Sequence, residues 1–218
     1  QLAEIKENVA APFLFMLARA ATNNRAFYLH PSFNFPAEST WASPAGGVFA
    51  LRLFTPEQVT PPPLPPESLD AAVQWWTANQ PLLDRVTAAV AKGTANARLA
   101  GMIWSRSVNG VGVMLQQGGR LDDAARFFAL ALKLNPKNAS ATVNLAVNES
   151  LKDGRTPDPE ASKPLLGRRP LDVLGDGGPV DEPVFLDALG QTVLQTQDGL
   201  VRRAAIAFER AYTLSPGL

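Results

Sequence analysis

The chain has no cysteine, a single histidine and no excess of charge of either sign. The missing cysteine excludes disulfides, thiolate metal sites and cysteine nucleophiles. It leaves the compartment open, because a cysteine-free chain suits cytoplasm and periplasm equally. Twenty basic residues against twenty acidic ones give no global field that favours nucleic acid or an anionic membrane. His30 ends an apolar run and precedes Pro31. A catalytic or metal role needs partners, and no spaced Asp/Glu/His cluster accompanies it, so it reads as a structural or exposed residue.

Long hydrophobic runs are also missing. The longest, Val9–Ala18, has ten residues and contains Pro12, whereas a spanning helix needs about twenty. Its flank "QLAEIKEN" carries two Glu and one Lys, unlike the positive start of a signal peptide. The expectation is a buried helix within Leu2–Ala21, kinked or restarted at Pro12, with no membrane insertion by this segment. The first residue is Gln1, which leads us to expect a piece of something longer.

Motifs for chemistry are scarce as well. Ser32 in "HPSF" lacks the Gly-x-Ser-x-Gly elbow of hydrolases. "GDGG" (Gly175–Gly178) lacks the ligand series of a calcium loop and the lysine of a phosphate loop, and reads as a turn. The sequons at Asn138 and Asn148 fall in or beside expected helices and are discounted. The pairs Arg168-Arg169 and Arg202-Arg203 read as solvated surface, or as contacts for a partner's carboxylates. No cofactor and no enzymatic activity are expected.

What is present is helical periodicity, in a chain of 218 residues that is 46% hydrophobic, enough for one or two domains. In "GVGVMLQQGGRLDDAARFFALALKLNP" (Gly110–Pro136) a helix stops at Gly118-Gly119. A second starts near Leu121, with Asp122 and Asp123 in the first turn, where the helix dipole favours acids. Ala124, Phe128, Ala131 and Leu132 share one face, and Pro136 blocks continuation.

The pattern resembles the tetratricopeptide repeat, a 34-residue helix–turn–helix unit. Val108, Val111, Gly112 and Leu115 stand at the first-helix positions, with Val108 for the usual Trp, Val111 for Leu and Leu115 for Tyr. Ala124, Phe128, Ala131 and Pro136 stand at the second. Adding 34 to Val111-Gly112 gives Leu145-Ala146, in a helix that ends at Gly154. Its partner helix does not follow; Arg155–Pro183 is an insert of 29 residues with six prolines. The pattern returns with Leu189-Gly190, Ala204, Phe208, Ala211 and Pro216. Here the interval from glycine to alanine is 14 residues, against 12 in the first unit. Small residues let paired helices approach, and the phenylalanine fills the space between pairs. A repeat stack that ends uncovered exposes an apolar face, so either further units or a partner are expected beyond the last match.

The N-terminal part differs. Two short apolar runs, Ala26–His30 and Gly46–Phe54, read as a strand pair in a small, incomplete α/β element spanning 1–60. With Asn23, Asn24, Arg25 and Ala26-Phe27-Tyr28 in place, this stretch resembles the soluble tail of bacterial multi-pass membrane proteins related to protein O-mannosyltransferases, although the proline of that pattern is absent. The resemblance implies an upstream membrane domain holding the sugar-transfer chemistry, and an extracytoplasmic or periplasmic tail. Otherwise the chain would be cytoplasmic.

Residues 61–68 form a linker, with five prolines among 61–66 favouring stiff polyproline II, and Ser68 is placed to cap the next helix. Trp75 and Trp76 cannot share a helix face, so one should be core and the other should pack on the linker or the first repeat. Residues 69–218 are then a mainly α region of tetratricopeptide-type hairpins, an α-solenoid. By the family's geometry Arg106, Asn109, Val113, Gln116, Val143 and Val147 point into its concave groove. That implies a non-catalytic module binding a protein or peptide, or a scaffold if the insert fills the groove. The carboxylate-clamp pattern of chaperone-binding repeats is not reproduced, because Val113 and Val143 stand where polar residues are needed.

Overall fold

A computed structural model describes residues 27–29, 40–195 and 200–217. The expected helix Leu2–Ala21, residues 23–26, His30 and Ser32 lie outside the described residues. Three strands come first: β1 (Phe27–Leu29), β2 (Thr40–Ala45) and β3 (Val48–Leu53). They form an antiparallel sheet in the order β1-β3-β2. The register sets Phe27 against Leu51, Ser43 against Ala50 and Ala45 against Val48. The expected pair of strands is therefore a triplet. The third strand is the polar "TWASPA" segment, between the two apolar runs, in which Pro44 argues against a strand by pattern. It is an edge strand, where an absent N–H does no harm. Gly46, at φ +68°, makes the two-residue turn, and the second apolar run begins as a strand only at Val48.

Eight α-helices follow among the described residues: α1 (Pro66–Ala78), α2 (Gln80–Ala91), α3 (Ala95–Gln117), α4 (Leu121–Leu134), α5 (Ala139–Lys152), α6 (Pro170–Gly177), α7 (Pro183–Leu194) and α8 (Val201–Leu214), with a 3-10 helix at Pro159–Leu165. None is long and apolar enough to cross a membrane. Ser68 does not cap α1. Pro66 already occupies the first turn and no side chain caps the helix, because a proline at N1 supplies the helical φ itself. α3 and α5 end alike. The N–H of Arg120 reaches the Leu115 carbonyl at 2.9 Å and that of Arg155 reaches Ser150 at 2.9 Å. Gly119 and Gly154 hold the left-handed φ, +75° and +68°, that such a six-to-one closure needs.

α1 to α5 share one core containing Trp76, Leu83, Val108, Val111, Leu115, Ala124, Phe128, Ala131 and Ala141. Trp76 is buried and meets the Trp104 ring edge-on at 5.8 Å. Trp75 lies at the margin of this core, its ring edge-on to Trp76 at 4.9 Å, and it also packs against the β2–β3 turn: a Cβ on Gly47 would lie 2.6 Å from its ring. This joins the sheet to the helices. A second core collects Val143 and Val147 of α5, Leu165, Val173 of α6, Val180 and Phe185. The insert is therefore packed structure, not a loose loop.

The α3–α4 and α7–α8 hairpins share one contact. A Cβ on Gly112 would lie 2.6 Å from the Phe128 ring, and one on Gly190 2.5 Å from the Phe208 ring. The longer glycine-to-alanine interval of the second hairpin falls between Leu194 and Val201, outside the helices. Phe128 is fully enclosed, while Phe208 is only half-buried. Leu145 and Ala146 of α5 are partly buried, Ala204 and Ala211 are buried, and Pro136 and Pro216 are exposed in the turns after α4 and α8.

Two consequences can be measured by chemical denaturation. Phe128→Ala should lose about 3–5 kcal/mol, as expected for a fully buried aromatic. Gly112→Ala should lose about 1–3 kcal/mol by overpacking. Gly190→Ala should be near neutral, because Phe208 can swing outward and alanine gains up to about 1 kcal/mol of helix propensity. Equal losses for the two glycines would contradict the asymmetry.

Candidate functional site

After α6 the chain turns at Gly178 and runs extended across the inner side of α3 and α5. This stretch, 177–181, has no strand partner, yet all of it but Pro179 is buried, and buried backbone polar groups must be bonded. Asparagine side chains do this. Asn109 Nδ2 donates to the carbonyls of Gly177 (3.1 Å) and Pro179 (2.8 Å). Asn144 Nδ2 donates to Pro179 O and to Asn109 Oδ1, each at 2.9 Å. Asn144 Oδ1 accepts from the N–H of Asp181 at 2.8 Å. Each amide thus uses both donor hydrogens and its oxygen, and both side chains are 0% exposed. Asn138 caps α5 by accepting from the N–H of Ala141 at 3.0 Å, and donates to Gly177 O at 3.1 Å. A Cβ on Gly177 would meet Ser140 Oγ at 2.3 Å, so only glycine fits this close approach.

The next two residues carry charge into the interior. Asp181 is 0% exposed. Its oxygens accept from Gln116 (2.8 Å), Gln117 (3.3 Å) and, in a bidentate pair, Arg210 Nε and Nη2 (2.8 and 2.6 Å). It therefore ties α3 to α8. Glu182, also fully buried, caps α7 by accepting from the N–H groups of Val184 (3.1 Å) and Phe185 (2.7 Å). Burial pushes its carboxyl above the ordinary 4.5, and those two N–H groups pull it only part of the way back.

The residues expected to line a peptide groove divide accordingly. Asn109 and Gln116 face inward and grip the insert, and Arg106 donates Nε to the Asp176 carbonyl at 3.0 Å. Val143 and Val147, both 0% exposed, lie beneath the insert's Val173 and Val180. Val113 faces a cleft instead. Asn144, Gln117, Asp181 and Arg210 were not singled out from the sequence, and Asn138 was noted only as a sequon. One signal was available: Asn144 and Asn148 stand among Ala141, Val143 and Val147 on the buried side of α5, with Asn138 at its cap. The basic pairs are used at home. Arg168 pairs with Asp176 and Arg169 with Asp172, while the Arg202 guanidinium lies 4.8 Å over the Phe54 ring. "GDGG" is the end of α6 and its exit, and the discounted sequon residues Asn138 and Asn148 are both buried.

What stays open is a cleft of about 440 Å³ between β2, α3, the extended stretch and the α7–α8 hairpin. Phe49, Val113, Leu186, Leu189, Val193 and Ile206 make it apolar. Arg106, Arg203 and Arg210 are the charged side chains in its wall. It adjoins a second hollow of about 360 Å³ under Pro61–Leu64, and Trp41, Ala42, Met114 and Gln117 border both. The proline-rich strap is thus one rim of the groove. Among the described residues no His/Asp/Glu group is arranged to hold a metal ion.

No protein-family model matches the chain, and no curated protein matches it.

Two further outcomes follow from the clamp. Asn109→Asp should destabilise the fold more than Asn109→Ala, since a carboxylate would face two carbonyls. The alanine variant itself should lose at least about 2 kcal/mol by stranding the Gly177 carbonyl. Urea denaturation of both checks the order, and the reverse order would contradict the clamp. The Glu182 carboxyl, raised by folding, is a penalty above its folded value that fades as pH falls through that value and is gone below 4.5. Glu182→Gln removes this titration. The stability difference should therefore move in favour of the native chain between neutrality and pH of about 4.5. A pH-independent difference would show that burial does not hold this carboxyl up.

Proposed function

We propose that this chain is a non-catalytic helical-repeat module of tetratricopeptide type that works by binding or scaffolding other proteins. The observation that carries this reading is the pair of helical hairpins, eighty residues apart in register from Ala124 to Ala204. Each is locked by an aromatic ring over a glycine, with asparagine side chains along the inner wall gripping an extended backbone. Such a wall suits main-chain recognition of an extended segment. Here the chain's own insert takes that place, so the surface left for a partner is the neighbouring apolar cleft. The bond pattern supports binding over turnover: Asp181 and Glu182, the buried acids, are fully engaged with Arg210, Gln116, Gln117 and the start of α7.

The test is quantitative affinity capture from the native host with the full chain and with Ile206→Arg, which puts a charge into the cleft. A reproducible partner set that the variant loses is expected. Recovery of the same proteins by the native chain, the variant and an empty matrix would defeat the reading.

A further inference from the structure

The sheet has one edge that opens on the cleft. With a two-residue turn at Gly46-Gly47, the pairs Ala45–Val48, Ser43–Ala50 and Trp41–Arg52 exchange the ladder bonds between β2 and β3. The N–H and C=O groups of Thr40 and Ala42 therefore face away from β3. Among the described residues no strand pairs with that side of β2 in the order β1-β3-β2, and these groups have no hydrogen-bond partner there. Pro44, the third outward-facing residue, has no N–H, and Trp75 packs against the turn beyond it. The receptive edge is thus confined to Thr40–Ala42, and those residues border the cleft.

Leu186, Leu189 and Ile206 line the same cleft as Thr40–Ala42, apolar surface for the side chains of a strand laid along β2. The charges are one-sided. No Asp or Glu lines the cleft. Arg106 spends its Nε on a backbone carbonyl, and the carboxylate of that residue, Asp176, is already paired with Arg168. Arg106 thus brings a positive charge with no carboxylate opposite it.

We propose that β2 accepts, along Thr40–Ala42 and within this cleft, an extended peptide bearing apolar side chains and a carboxylate, which joins the sheet as a fourth strand with its acid group towards Arg106. Strand addition gives affinity through the main chain and specificity through the side-chain wall. An unguarded edge is a hazard unless it is short or used, and this one is short, recessed and cornered by Pro44. The inference rests on the interaction-module reading and gives it a site and a class of partner.

The experiment selects binders of the full chain from a displayed library of random dodecapeptides. It then measures the best peptide by fluorescence anisotropy against the native chain, Ala42→Pro and Arg106→Gln. Ala42→Pro removes an outward N–H and no ladder bond. Each variant should bind at least about tenfold more weakly, the loss of one good charge-assisted or main-chain bond. Amidation of the peptide's acid should abolish the difference between native chain and Arg106→Gln. If Ala42→Pro fails to fold, N-methylation of the peptide at alternate residues replaces it, and a selective loss at one phase of the alternation is expected. Binders indifferent to both substitutions and to methylation would overturn the strand-addition site while leaving a binding module. A library that yields no binder would overturn the module reading as well.

Discussion

Buried backbone must be hydrogen-bonded, and a stretch that crosses an interior outside any sheet has to borrow its partners from side chains. Residues 177–181 are in that position, and much of the structure follows from how they are served. Asn109 and Asn144 saturate one another while bonding the Gly177 and Pro179 carbonyls and the Asp181 N–H, so the two helices and the chain between them form a single network. A half-satisfied version would be worse than an apolar core. The network is closed, and its members are enclosed. Asp181 and Glu182 then place the last hairpin. One carboxylate holds Arg210 of α8, and the other terminates the free N–H groups of α7. The positions of α7 and α8 against α3 thus rest on two consecutive acids delivered by the clamp.

The two hairpins illustrate how one local contact takes on different energetics from its neighbours. Phe128 sits over Gly112 and is enclosed because α5 packs across α4. Phe208 sits over Gly190 in the same way, but the outer side of α8 is uncovered. Val201 and Tyr212, eleven residues apart and so on one helix face, are 63% and 65% exposed. In α4 the corresponding positions, Leu121 and Leu132, are both partly buried. Sequence similarity between the hairpins therefore does not make their cores equivalent. The first is a closed interior, while the second has one apolar side turned to solvent.

Most of the helical half was legible. Gly118-Gly119, Gly154 and Pro136 mark helix ends through backbone constraints that tertiary context does not override. The alanine–phenylalanine spacing reports close packing directly. The strand β2 was not legible, since Pro44 argues against a central strand and nothing local identifies an edge. The inward-facing set was only half legible. A 34-residue step from Asn109 lands on Val143, but the side chain that meets Asn109 is Asn144, one residue on. Helix register relative to a neighbour depends on packing that no single segment contains. For the same reason the sequence assigns no helix within the insert: its prolines forbid long helices, yet they are compatible with short ones that start at proline, as α6 does.

The insert also decides where an open surface can exist. By lying along α3 and α5 it converts their inner face into interior, with Val143 and Val147 as core. Its other flank, Gly178 to Val180, becomes a wall of the cleft. The stretch thus has two sides with different chemistry. The clamped side bonds the Gly177 and Pro179 carbonyls and the Asp181 N–H, and the other offers an apolar surface to the cleft that β2 borders. A loose loop there could collapse into the hollow. A segment fixed by asparagine amides at one end and by Asp181 at the other cannot do so without breaking buried bonds worth about 1–3 kcal/mol each when stranded. The clamp therefore accounts for the persistence of an apolar cleft in which three arginines are the charged lining and the free edge of β2 is a border.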